Sequence, residues 1–161
     1  MALIVLGIAP GPTNCGAVLY EAEARRVHFA WKSLTVAEAL AAIECRPQLV
    51  AIERVQSYGI AGASLLRTAE VGGMLHHCAS REGVGVVWLY RREVLRGLDV
   101  TGKGNRDSLV RQRLIEMHGG DRASAVGTKK APGPLYGVAS HAWQALAVAV
   151  VAGLECDGEA S

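Results

Sequence analysis

The sequence lacks the features of a membrane protein, a secreted protein or a zinc-finger protein. No apolar run approaches the ~18 residues that a membrane-spanning helix needs, so no membrane partner is expected. The start, MALIVLGIAPG, has no basic segment and breaks at Pro10, so we expect no signal peptide and a cytoplasmic location. The four cysteines are far apart and form no CxxC pair, which disfavours a zinc site and favours reduced thiols (Cys15, Cys45, Cys78 and Cys156).

Charge is nearly balanced over the whole chain but not along it. The 161 residues carry 17 basic and 15 acidic side chains, and half of them are hydrophobic, which indicates one folded domain rather than a disordered chain. Residues 91–130 hold ten basic and five acidic side chains, whereas the last 31 residues hold no Lys or Arg. Phosphate backbones bind such basic surfaces through counterion release. Nucleic acid is therefore a candidate partner, and an ordinary solvated helix face is the alternative.

The hydrophobic pattern predicts an α/β fold in the order βββαβαβ, followed by a short helix, a second helix, a long loop and a last helix. Strands are predicted at residues 3–8, 16–20, 27–31, 49–52 and 84–90. Helices are predicted at residues 35–45, with Thr35 as the cap, and at 61–81 and 91–98. A further helix is predicted up to Met117 after a cap at Asn105 or Asp107, and a last helix is predicted after a cap at Ser140. The loop at residues 118–139 is long enough to be functional or mobile.

A carboxylate follows the fourth predicted strand. Glu53 comes directly after the apolar run Leu-Val-Ala-Ile and is expected at the carboxyl end of a buried strand. Because burying an unpaired charge is costly, and ligands of open α/β sheets bind at these strand ends, Glu53 is predicted to face a cleft or to meet a cation. The alternative is an ion pair at the rim with Arg54 or another arginine.

Two further segments are candidates for the same site. The turn LGIAPGPTNCG places Ala9, which brings no chemistry, at the end of the first strand, and a simple hairpin turn explains its spacing. His141 and Gln144 share a face at the start of the last helix, where an imidazole and an amide oxygen could bind a cation. A satisfied histidine near a helix N-terminus is the simpler interpretation. His76 and His77 are adjacent on a helix and are interpreted as structural.

Four segments in this order resemble the RuvC-type Holliday junction resolvases. LGIAPGPTNCG is similar to the LGIDPGxxxxG opening of that family, and LVAIERV to its second motif, in which a Glu follows four apolar strand residues. RREVLRGLDVTGKGNRDSLVRQRL is similar to the basic segment, and HAWQALAVAV to the final helix, where two metal-binding residues precede ALAxA. The resemblance implies an RNase H-like mixed sheet of about five strands flanked by helices. It places the nuclease domain at residues 1–154. The acidic tail at residues 155–161 lies outside the resemblance and is expected to be disordered.

The resemblance also implies an activity and a set of site residues. The family members are homodimeric endonucleases that cut four-way DNA junctions with Mg²⁺ or Mn²⁺, where two ions activate water and stabilise the leaving oxygen. A branch-migration helicase is a further partner that the resemblance allows. By motif, the family's metal-binding residues fall on Ala9, Glu53, His141 and Gln144. His141 fits some members, whereas Gln144 replaces an Asp, and Ala9 replaces the Asp that ordinarily bridges both metals.

These departures predict a catalytically weak chain. With Glu53 as the one formal negative charge of the motif residues, two divalent ions would repel each other with little compensation. We therefore expect weak metal binding and no cleavage at a useful rate. Ala9 is interpreted as an introduced replacement in an active nuclease, and Gln144 as native. The alternative is a natural pseudo-nuclease that binds branched DNA without cutting it.

The basic segment is predicted to bind DNA phosphates in either case. Arg106 matches a family Lys that approaches the scissile phosphate, and other basic residues surround it (Arg91, Arg92, Arg96 and Lys103). Gln56 stands where the family often has a Phe that wedges between bases. Tyr58, two residues on, could stack on a base or lie on the surface. By resemblance, the helix at residues 61–81 would form the dimer face.

Two other functions stay open. An RNase H-like protein acting on RNA would share this fold. The glycine-rich first hairpin is also similar to the phosphate loop of actin-like ATPases and sugar kinases. Those enzymes need two such domains around the nucleotide, and 161 residues supply one.

Overall fold

The structure, a computed structural model, describes residues 2–159. Its five strands form a mixed sheet in the order β3-β2-β1-β4-β5. The strands are β1 (Ile4–Ala9), β2 (Asn14–Glu21), β3 (Arg26–Thr35), β4 (Leu49–Arg54) and β5 (Gly85–Tyr90). β1 runs antiparallel to β2 and parallel to β4, and β5 is parallel to β4. The carboxyl ends of β1, β4 and β5 therefore meet at one end of the sheet.

Helices cover both faces of this sheet, which confirms the predicted class of a mixed five-stranded sheet flanked by helices. They are α1 (Val36–Glu44), α2 (Ala63–Arg81), α3 (Arg91–Gly97), α4 (Arg106–Met117), α5 (Arg122–Ala125) and α6 (Ala142–Glu159). On one face α6 packs with α3 and α4 against the sheet, and on the other α1 and α2 enclose a second apolar cluster. Among residues 2–159, no helix is both long and apolar enough to cross a bilayer.

Local sequence explains where the helices begin. The Thr35 hydroxyl accepts from the backbone N–H of Glu38, whose carboxylate accepts from the Thr35 N–H, so this capping box starts α1. The Asn105 carbonyl oxygen accepts from the N–H groups of Asp107 and Ser108 at the start of α4. The predicted Thr35 cap is confirmed, and of the two candidate caps for α4 the structure selects Asn105.

The last helix packs closely on the first hairpin. Almost every residue of α6 from Ala142 to Gly153 is buried, in agreement with its nearly uniform apolar sequence. A Cβ built at Gly7 of β1 would lie 2.7 Å from the Ala149 Cβ, so only glycine allows α6 this close to the sheet. The N-terminus of α6 is thereby placed beside the carboxyl end of β1.

Several boundaries differ from the sequence prediction. α6 begins at Ala142, and Ser140 is not its cap but a positive-φ residue (φ 49°) in the turn before it. The segment at residues 118–139 contains the short helix α5. α6 continues through Glu159, so residues 155–159 are helical rather than a disordered tail. Their acidic side chains are compatible with a helix once residues 142–153 have docked. Ala160 and Ser161 lie outside the described residues.

Candidate functional site

The end of β1 contributes Ala9 to a cleft at the carboxyl edge of the sheet. Successive strand residues face opposite sides, and Val5 and Ala9 belong to the apolar cluster on the α6 side. Ala9 is paired with Gly16 across the hairpin. Its side chain thus faces the start of α6, and its position at the end of the first strand is as predicted.

The strand-end cleft is lined by the turn between β1 and β2 and by five side chains: Ala9, Asn14, Ser33, His141 and Gln144. It has a volume of about 350 Å³. His141 precedes α6 and Gln144 lies in its first turn, so the tight docking of this helix on the hairpin brings both to Ala9. The structure therefore brings together three of the four residues that the family motifs single out.

Glu53 lies next to this cleft rather than in its lining. It follows Ala51, a member of the α6-side cluster, by two residues on β4, so it is on the same face as Ala9. It borders a smaller pocket of about 210 Å³ with Thr68 and Trp88, and Pro10 lines both spaces. The four motif positions therefore cluster at one end of the sheet.

The electrostatic surroundings of Glu53 come from α3 and α4. Burial raises the pKa of the Glu53 carboxyl above its ordinary value, the Arg91 guanidinium partly lowers it, and the Asp107 carboxylate raises it. Arg91 and Asp107 form an ion pair with each other. Within residues 2–159, Glu53 itself has no ion pair or side-chain hydrogen bond, so its alternative assignment as a rim partner of Arg54 is not what the structure contains.

Arginine side chains stack on aromatic rings at the same end of the sheet. The Arg54 guanidinium lies 4.7 Å from the centre of the Trp88 ring and 5.6 Å from that of Tyr90. The Arg92 guanidinium lies 5.2 Å from the centre of the Tyr90 ring. These cation–π contacts hold two positive charges at the strand ends, and together with Arg91 they form the arginine rim of the site.

The other predicted DNA contacts are exposed, as a surface role requires. Arg96, Lys103 and Arg106 project from α3, the following loop and the start of α4. Gln56 and Tyr58 lie in the loop after β4, where Tyr58 is 87% exposed. The neighbouring Ile60 has an apolar side chain that is fully exposed, and no sequence pattern indicates this. These residues lie on the connections that follow β4 and β5.

The donor set does not fit a two-metal site. Ala9 has no donor atom, His141 offers a neutral imidazole and Gln144 an amide oxygen, which leaves Glu53 as the one carboxylate among the motif residues. Within the described range 2–159, no three His, Cys, Asp or Glu side chains are grouped so that they could hold a metal ion. We therefore derive no chemical step through a metal at this site.

The structure adds residues that sequence reasoning missed. Asp107 had been considered only as a helix cap, yet its charge acts on Glu53 and it binds Arg91. Arg54 had been considered only as a partner of Glu53, yet it stacks on Trp88. No local sequence pattern signals either role, since both depend on how α3 and α4 meet the ends of β4 and β5. By contrast, His76 is structural as predicted: its Nδ1 accepts from Trp88 Nε1 at 2.6 Å.

Comparison with solved structures supports the fold. No protein-family model matches the chain, and no curated protein matches it. The structure of Thermus thermophilus RuvC is similar, with a TM-score of 0.63 and 22% sequence identity over 96% of each chain. T. thermophilus RuvC in complex with a Holliday junction substrate has a TM-score of 0.65 and 24% identity, covering 97% of this chain and 96% of that one. The chain therefore has the RNase H-like fold of RuvC over nearly its whole length.

Proposed function

We propose that this chain binds four-way DNA junctions and, as written, does not cut them at a useful rate. The observation that supports this best is the clustering of Ala9, His141 and Gln144 in the strand-end cleft with Glu53 beside them. The arginine rim lies at the same end of the sheet, in a fold shared with a protein solved with a Holliday junction substrate. A site shaped for a sugar-phosphate link but short of carboxylates is suited to binding rather than to hydrolysis.

Phosphate contacts would come from the basic surface beside the cleft. Arg54 and Arg92 are already ordered on aromatic rings, so little side-chain entropy would be lost when they meet phosphates. The exposed basic residues Arg96, Lys103 and Arg106 extend this surface along α3 and α4. These contacts position the DNA but carry no sequence information, which suits recognition of DNA shape.

Contacts with bases would come from the loop after β4. Tyr58 and Ile60 are large apolar side chains that the fold leaves in solvent. An unpaired base at a junction centre could stack on the Tyr58 ring, and such stacking contributes about 1–3 kcal/mol per base. This loop is therefore proposed to distinguish an open junction from an intact duplex, in which the base faces are covered by stacking.

The assembly proposed for this function is a homodimer formed through α2. Leu66 and Met74 on this helix are 56% and 41% exposed, although both are apolar. A two-fold dimer would place two strand-end clefts on one symmetric junction. A branch-migration helicase as a partner, and a cytoplasmic location in a bacterial or phage-infected cell, follow from the resemblance as further proposals.

Restoring the missing carboxylate tests why the chain does not cut. We expect the parent chain to bind a four-way junction without cleaving it in Mn²⁺, and Ala9→Asp to introduce paired, symmetric nicks. Ala9→Asn is the matched control, because it adds an amide of the same size without the charge. Binding without cleavage in Ala9→Asp would show a binding-only protein, whereas cleavage by the parent chain would contradict the proposal.

A further inference from the structure

The positive charge that faces Glu53 comes from one residue, at the start of α3. The β4–β5 register pairs Glu53 with Leu89 and Arg54 with Tyr90, so Arg91, the next residue, begins α3 at the strand end beside Glu53. Of the three guanidiniums of the arginine rim, Arg54 lies over Trp88 and Arg92 over Tyr90. Arg91 instead pairs with Asp107 at the start of α4, and α4 packs on the face of the sheet to which Glu53 belongs, so its charge is the one held beside the Glu53 carboxylate.

Asp107 fixes the position of Arg91. The two side chains form an ion pair that joins the start of α3 to the start of α4. Asp107 is itself held by its backbone N–H, which donates to the Asn105 side chain at 3.1 Å. Because 28% of the Arg91 side chain remains exposed, its guanidinium is ordered but still open to a ligand on one side.

We infer that Arg91, held by Asp107, is the built-in cation of the Glu53 site and disfavours divalent-ion binding there. The inference rests on the proposed function, in which this end of the sheet meets a DNA phosphate. A guanidinium beside a lone carboxylate supplies charge that would otherwise come from a metal ion, and it also presents N–H donors in a fork that matches a phosphate. The chain would then bind phosphate at this position through an arginine.

The test measures Mn²⁺ binding to the DNA-free protein, using the metal alone as the probe. We expect the melting temperature of the parent chain to be insensitive to millimolar Mn²⁺. Arg91→Gln leaves Glu53 and Asp107 without their cation, so its Mn²⁺ affinity should rise by about tenfold and Mn²⁺ should then raise its melting temperature. Arg91→Lys keeps the charge and should behave like the parent.

Two controls make the result specific. Arg92→Gln removes a neighbouring arginine that is stacked on Tyr90, and it should leave Mn²⁺ affinity unchanged. The double variant Arg91→Gln/Glu53→Gln should not show the rise in Mn²⁺ affinity that is expected for Arg91→Gln alone. An unchanged Mn²⁺ affinity in Arg91→Gln, or an equal gain in Arg92→Gln, would overturn the inference. Junction binding is measured separately in the same variants, so a failure of the proposed function would show there and not in the metal titration.

Discussion

Gly16 on β2 lies directly against the backbone of His141. A Cβ built at Gly16 would lie 2.6 Å from the His141 carbonyl carbon and 2.9 Å from its Cβ, distances that no real side chain tolerates. Gly16 is also the strand partner of Ala9. One glycine thus lets the start of the last helix reach the end of β1 and sets the spacing of the strand-end cleft.

Gly16→Ala should therefore destabilise the protein and disturb the cleft. The added methyl must push the start of α6 away from the hairpin, and overpacking of this kind costs about 1–3 kcal/mol. Gly59→Ala is the control, because a Cβ at Gly59 would meet no atom within 4 Å. Urea denaturation measures the free energy of unfolding of both variants. Equal stability of the two variants would contradict the close approach of Gly16 and His141.

Glu53→Gln should stabilise the protein at neutral pH. Because the folded state raises the pKa of Glu53, the fold favours the protonated carboxyl, and the cost of ionising it develops as pH rises above the ordinary glutamate value. The neutral amide removes that cost, and a gain of about 1 kcal/mol would raise the melting temperature by about 2–4 °C. Glu116→Gln, on the exposed face of α4, should change little. A lower melting temperature for Glu53→Gln at pH 7.5 would contradict the prediction, because it would mean that the ionised carboxylate stabilises the folded protein.

A buried pair that includes Tyr20 of the α6-side cluster predicts sensitivity to acid. His118 Nδ1–H donates to the Leu114 carbonyl at 2.7 Å, so its Nε2 is free to accept from the Tyr20 hydroxyl at 2.8 Å. Burial lowers the pKa of His118 despite the Leu114 contact, with a further lowering from Arg25, and burial raises the pKa of Tyr20 to about 12.

A lowered histidine pKa gives stability that is present above pH ~6.5 and is lost as pH falls through the folded value. His118→Gln keeps hydrogen-bonding capacity but does not titrate, so it should lose less stability than the parent between pH 7.5 and pH 5.5. Tyr20→Phe should cost about 1–3 kcal/mol at pH 7.5, because it leaves Nε2 buried without a donor. Tyr136→Phe, at a partly exposed position, is its control. Identical pH profiles of parent and His118→Gln would contradict this prediction.

The proposed dimer face gives a prediction about assembly. We expect the parent chain to sediment as a dimer and Leu66→Asp to sediment as a monomer, since a charge in an apolar interface must be desolvated. Leu154→Asp adds the same charge at an exposed leucine of α6 and should leave the dimer intact. Analytical ultracentrifugation at micromolar concentration decides this, and a monomeric parent would count against the α2 interface.

The sequence predicts the fold well because each strand and helix has its own local signal. The buried runs that became β1 and β4, the Thr35 capping box and the uniformly apolar α6 each point to one structure. The start of α6 was less predictable. Serine is a residue type that often caps helices, but Ser140 has a left-handed backbone conformation in the turn before α6. Boundaries that depend on tertiary docking carry weaker local signals.

The site is predictable in part for the same reason. Glu53 could be placed because the end of a buried strand fixes where its side chain must go. The roles of Arg91 and Asp107 could not, since they are 16 residues apart and meet only when α3 and α4 have packed. The stacking of Arg54 on Trp88 is likewise a consequence of β4 pairing with β5.

Binding of DNA by the parent chain, measured over a series of salt concentrations, tests the central claim most directly. A four-way junction, a linear duplex of the same composition and an RNA–DNA hybrid are compared in one gel-shift series. We predict that the junction is preferred and that the preference survives added salt, because shape recognition by the β4–α2 loop adds to phosphate contacts. Equal loss of affinity for junction and duplex as salt rises, or a preference for the hybrid, would contradict the account.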